Sequence, residues 1–169
     1  LIAVSKTQPA KALAEAYAWG QRAFGENYLQ EALDKQTQLA SLAGIEWHFI
    51  GPIQSNKTRP IAEHFDWVHS VDRLKIAQRL AAQRPAALGK LKVLLQINIS
   101  NEPSKAGIPP ADMLQLAGAL SQLPQLEFKG LMAIPAPGDS EQAFAAMQRL
   151  SQQLQQHYPQ ATELSMGMS

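Results

Sequence analysis

Short apolar runs alternate with helical patterns along the whole chain. Strands are predicted at residues 1–5, 22–24, 46–50, 67–70, 92–99, 128–133 and 163–166. The run from Val93 to Ile99 is nearly continuous in apolar residues, as a strand covered on both faces requires. Met113, Leu116, Ala117 and Leu120 fall at i, i+3, i+4 and i+7, and Ala143, Met147, Leu150 and Leu154 form a second stripe; each predicts a helix with one buried face. Asp72 and Asp139 stand where N-caps are expected, and Gly20 and Gly44 where helices stop. Pro60 lacks an amide donor, so the helix that follows Ser55 must start near Thr58 or kink.

Seven strand signals separated by six helical ones predict right-handed crossovers and a mostly parallel sheet. The expected fold class is α/β, a (β/α)8 TIM-type barrel seen as a fragment that lacks the last βα unit and the N-terminal helix. A doubly wound sheet is the alternative. Whole barrels take ~250 residues and at least ~200, against 169 here. The chain opens on an apolar strand and stops in a Gly-containing turn, and domains seldom start at the hydrogen-bonded centre of a sheet. The expectation is therefore a single domain over 1–169, truncated at both ends.

Composition narrows the partners. Fifteen Lys+Arg against fourteen Asp+Glu leave a formal charge of +1, too little for a basic face that tracks nucleic acid. Lys57, Arg59 and Lys105 are too few and too separated to make such a track. No window approaches the ~18–20 unbroken apolar residues of a membrane span. Cysteine is absent, which removes disulfides, thiolate metal sites and Cys nucleophiles together. The four histidines show no metal spacing, and there is no dinucleotide fingerprint, Walker loop or nucleophile elbow. What remains is a cytoplasmic globular unit, monomeric by default, with no nucleic-acid, membrane or metal partner.

Barrel chemistry sits at the C-terminal ends of strands. Lys6 directly follows the first apolar run, where desolvation would disfavour its ammonium form and leave an amine able to attack an aldehyde; the alternative is a strand-end charge that reaches water. Gly167 and Ser169 offer a small anion cup or a plain turn. Asn27, after Gly25, either reaches a ligand or starts a helix, and Glu26 is a natural first-turn residue. His48 lies between Trp47 and Phe49 and points to the opposite face, to line the barrel centre or to hydrogen-bond in the core.

Five strings occur in order: Ala3-Val4-Ser5-Lys6-Thr7, Phe24-Gly25-Glu26-Asn27-Tyr28, Trp47-His48-Phe49-Ile50-Gly51-Pro52-Ile53-Gln54-Ser55-Asn56-Lys57, Gly130-Leu131-Met132-Ala133-Ile134 and Leu164-Ser165-Met166-Gly167-Met168-Ser169. Together they closely resemble the pyridoxal phosphate homeostasis protein family, whose barrel is similar to the N-terminal domain of alanine racemase. The resemblance implies that Lys6 carries pyridoxal 5′-phosphate (PLP) as a Schiff base and that Asn27 lies beside the cofactor. It places Ser165 and Ser169 at the strand-7 end of the pocket, Ser169 at the phosphate. An arginine facing the pyridine nitrogen is implied on a strand after the last residue here. Such an arginine keeps the ring nitrogen unprotonated and weakens the electron sink that PLP enzymes use.

The function expected from this resemblance is a PLP carrier or regulator in vitamin B6 and amino-acid homeostasis, without a defined turnover. Its candidate recipients are PLP-dependent apo-enzymes. The alternative is a minimal PLP-dependent enzyme such as an amino-acid racemase, although racemases of similar fold use a tyrosine from a second domain. A third reading is a cofactor-free interaction module. Lys105, in the loop after the fifth strand, is a candidate second site for the aldehyde.

Overall fold

A computed structural model describes residues 1–103 and 106–167. Among them are seven strands and six α-helices in alternation: β1 (Ala3–Val4), α1 (Ala10–Ala18), β2 (Ala23–Glu26), α2 (Leu29–Gln38), β3 (Glu46–Phe49), α3 (Thr58–His64), β4 (Trp67–Val71), α4 (Leu74–Gln83), β5 (Leu91–Gln96), α5 (Met113–Ser121), β6 (Leu126–Met132), α6 (Ser140–His157) and β7 (Glu163–Ser165). All neighbouring strands pair in parallel, and their spatial order is their order in sequence. A doubly wound sheet must reverse its strand order at a switch point. This one never does, so the winding is that of a TIM-type barrel, here an open curled sheet.

Side-chain alternation gives the sheet two different faces. Phe24, Trp47, Phe49, Val68, Val93, Leu95, Phe128 and Leu131 pack outward onto Leu13, Ile61, Ile76, Leu80, Met113, Leu120 and Met147 of the helices, in one continuous core. Ala23, Glu46, His48, Trp67, His69 and Leu94 face inward, where β1 and β7 also contribute to the wall of one cavity of about 560 Å³. Both helical stripes are buried as their spacing predicts, through Met113, Ala117 and Leu120 on α5 and Ala143, Met147 and Leu154 on α6. Pro60 sits in the first turn of α3, which starts at Thr58 and so needs no kink.

Several expectations at element ends are corrected. Strand β1 covers only two residues, with Leu1 and Val4 exposed, because it is an edge strand paired on one side with β2. Strand β5 stops at Gln96, since Ile97 leaves the ladder for a bridge to Ile108. Asp72 does not cap α4; its carboxylate accepts the Gly107 amide at 3.0 Å. Asp139 does stand at the N-cap of α6, although its side chain makes no cap bond. Gly20 does follow the C-cap residue Trp19 of α1, at φ +102°, whereas α2 ends at Gln38 and Gly44 closes a later turn. Gly130 is required by close approach: at φ +151° a Cβ there would strike the backbone of Glu163 on β7. Among the described residues no helix is long and apolar enough to cross a membrane.

Candidate functional site

The first two strands end in the segments that carry Lys6 and Asn27. Val4 pairs with Gly25, and the Ser5 amide donates to Gly25 O at 2.9 Å. Beyond that bond the chain turns at Lys6, while Asn27 follows the last residue of β2. Lys6 is exposed, in a turn closed by the Gln8 amide donating to Ser5 O at 3.1 Å. That exposure matches the reading of Lys6 as a strand-end residue that reaches water, because the preceding strand is a half-open edge and not a buried run. Thr7 stands at φ +64°, a left-handed conformation that is costly for a β-branched residue.

Asn27 is half-buried, and its Oδ1 is shielded from solvent without a hydrogen-bond partner. Its backbone is packed against Gly51, where a Cβ would come within 2.9 Å of Asn27 Cα. Only glycine at the end of β3 leaves that room. Asn27 also lines a second cavity of about 580 Å³, with Phe49, Ile53, Gln54 and Lys57 among its walls.

A polar chain crosses the concave face. His48 Nε2 lies 2.6 Å from Glu46 Oε1, His48 Nδ1 is 2.8 Å from His69 Nε2, and His69 Nδ1 is 2.6 Å from Ser165 Oγ. Burial lowers the pKa of His48 to about 4 and of His69 to about 3, with the Lys92 charge adding to the first and His48 to the second. The Glu46 carboxylate alone would favour an imidazolium, but Glu46 is 44% exposed and His48 only 4%, so desolvation prevails and both rings are neutral at pH 7. Neutrality fixes every proton. His48 donates from Nε2 to Glu46, accepts at Nδ1 from His69 Nε2–H, and His69 Nδ1 accepts the Ser165 hydroxyl.

Ser165 is therefore brought to His69 on the inner cavity wall, beside Met166 and Gly167. Lys6 and Asn27 are not among the residues lining that cavity. His48 fulfils both of its expected roles, lining the barrel centre and hydrogen-bonding. Gly167 adopts φ +109°. Ser169, the other half of the expected anion cup, and Lys105 lie outside the described residues. Among the described residues no group of three or more His, Asp or Glu side chains could hold a metal ion.

Sequence reasoning missed a buried ionic cluster behind β1. Lys35 of α2 is 4% exposed, and its Nζ reaches Ser5 O at 2.6 Å, both Glu26 carboxylate oxygens at 3.0 Å and Glu31 Oε1 at 2.8 Å. Ser5 Oγ donates to Glu26, and the Thr7 amide donates to Glu31 Oε1 at 2.6 Å. The Lys35 hydrogen bond holds the Glu31 carboxyl below its ordinary range. The available signal was the i, i+4 spacing of Glu31 and Lys35 on one helix face.

The family described as alanine racemase, N-terminal domain, matches residues 1–169. The pyridoxal phosphate homeostasis protein of Pseudomonas aeruginosa is 62% identical over 170 residues, which span all of this chain and 74% of that protein. PipY of Synechococcus elongatus, solved with PLP bound, superimposes with a TM-score of 0.89 at 45% identity, covering 99% of this chain and 81% of PipY. Alanine racemase from Corynebacterium glutamicum, at 17% identity and a TM-score of 0.74 over 98% of this chain and 47% of its own, shares the fold.

Proposed function

The chain belongs to the alanine racemase N-terminal domain family and, within it, to the pyridoxal phosphate homeostasis proteins, and from that premise we propose that it binds PLP through Lys6 and serves PLP homeostasis. The observation that carries the reading is the likeness to PipY with PLP bound. The residues at the strand ends fit such a group. Among the described residues no carboxylate pairs with Lys6, which is exposed and available. The Asn27 Oδ1, buried without a partner, is an acceptor that a bound molecule would satisfy.

Bound PLP supplies an aldehyde that a lysine amine holds covalently and reversibly. On this reading the Lys6 Nζ would be the attachment point, Asn27 would lie beside the cofactor, and Ser165 and Ser169 would form the strand-7 side of the pocket. Residues 1–169 act as one binding domain. The protein acts as a carrier rather than an enzyme with its own turnover; it is cytoplasmic and monomeric, and PLP-dependent apo-enzymes are its recipients. The carrier reading draws support from the names of its relatives and from the neutral His48–His69 pair, whose N–H groups are both spent inside the polar chain.

The test is to mix the protein with PLP, reduce with borohydride and map the modified lysine by mass spectrometry. Modification concentrated at Lys6, together with a visible absorption band, is the expected result. Lys6→Ala should lose the band and at least about 90% of the label at this strand end, because the other amine there, Lys35 Nζ, is buried with its donors spent on Ser5 O, Glu26 and Glu31. A Lys6→Ala chain that labels and absorbs like the parent would sink the assignment.

A further inference from the structure

We propose that Glu31 and Lys35, with Glu26, form a clamp that positions Lys6 by holding the backbone on both sides of it. The inference rests on Lys6 being the PLP attachment point and adds the residues that aim it. Lys6 itself touches none of the three; its neighbours do. Ser5 is gripped twice, through its carbonyl by Lys35 Nζ at 2.6 Å and through its hydroxyl by Glu26. Thr7 is gripped by Glu31, which accepts its amide at 2.6 Å. Lys35 ties the two grips together, its three N–H donors going to Ser5 O, Glu26 and Glu31.

Two features mark this as more than packing. The first is strain: Thr7 is β-branched yet left-handed at φ +64°, one of only two such non-glycine residues described. A conformation of that kind costs on its own and persists only where surrounding bonds impose it. Here the imposing bonds are the Gln8 amide to Ser5 O, which closes the turn, and the Glu31 acceptor, which fixes the Thr7 amide inside it. The second is burial. Glu26 is fully buried and Lys35 nearly so, and a buried ion pair contributes little net stability compared with apolar residues of the same volume. What it supplies is direction. A side chain on an exposed turn sweeps many rotamers, and a fixed Cα–Cβ vector limits which of them reach the barrel mouth beside Asn27.

Glu31 is the residue to vary, because it is part-exposed while Glu26 and Lys35 are buried partners whose loss strands a charge. Parent, Glu31→Ala and Glu31→Gln chains are incubated with PLP, reduced over a time course, and labelling at Lys6 is divided by that at exposed Lys11 and Lys75. The ratio should fall about tenfold in Glu31→Ala and stay within about threefold of the parent in Glu31→Gln, which keeps the acceptor oxygen. Without any PLP, exchange of the Thr7 amide should quicken in Glu31→Ala while β5 amides stay protected, which separates a lost clamp from a lost fold. Parental labelling in Glu31→Ala, or an unchanged Thr7 amide, overturns the clamp and leaves the cofactor reading standing. Absence of Lys6 labelling in the parent overturns both.

Discussion

At the scale of single residues, His48 and His69 make the most exposed claim. Two neutral imidazoles form a one-way chain only while neither gains a proton, and burial keeps their pKa values near 4 and 3. In the unfolded chain both return to about 6.5. Below that pH the unfolded state binds protons that the folded state refuses, so stability is full above about 6.5 and declines as pH falls towards the folded values. Between pH 7 and pH 5 each imidazole removes about 2 kcal/mol. Urea midpoints at the two pH values read this loss. A His48→Gln, His69→Gln double variant should show a flatter decline, and an equally steep one would assign the acid sensitivity to the carboxylates instead.

At the scale of elements, β7 depends on one residue of its neighbour. Gly130 pairs with Glu163 at a φ no other residue adopts cheaply, and a Cβ there meets the Glu163 backbone nitrogen at 2.8 Å. Gly130→Ala should cost about 2–3 kcal/mol. It should also quicken exchange of the Ala133 amide, which donates to Ser165 O, with β2 and β3 amides unaffected. Uniform loss of protection would mean that β7 is no separate unit. The seven strands and six helices were legible because each is an apolar run or stripe of its own. Their ends were not, since Ile97 is as apolar as Leu95 yet leaves the ladder for Ile108, and Val4 is as apolar as Val93 yet lies on an edge. Lys6 and Asn27 could be placed at strand ends from the local pattern. The links from His69 to Ser165 and from Lys35 to Ser5 join residues 96 and 30 positions apart, and only the folded curl of the sheet and the packing of α2 reveal them.

For the whole molecule the question is whether an open, singly wound barrel with this interior holds PLP or works with it. Racemisation needs an acid and a base placed at the α-carbon of a bound amino acid. Among the described residues the buried imidazoles are His48 and His69, and both of their N–H donors point along the wall towards Glu46. Each would have to break a bond of 2.8 Å or less and, as an acid, take up a proton that burial opposes. The structural likeness to alanine racemase at 17% identity carries the fold and no chemistry. The PLP-loaded protein should therefore exchange the α-proton of L-alanine in deuterated water no faster than free PLP at the same concentration. Exchange at least about tenfold above that background, lost in Lys6→Ala, would replace the carrier with an enzyme. Exchange at background, with Lys6 labelled in the same sample, would leave storage and release as the work this barrel does.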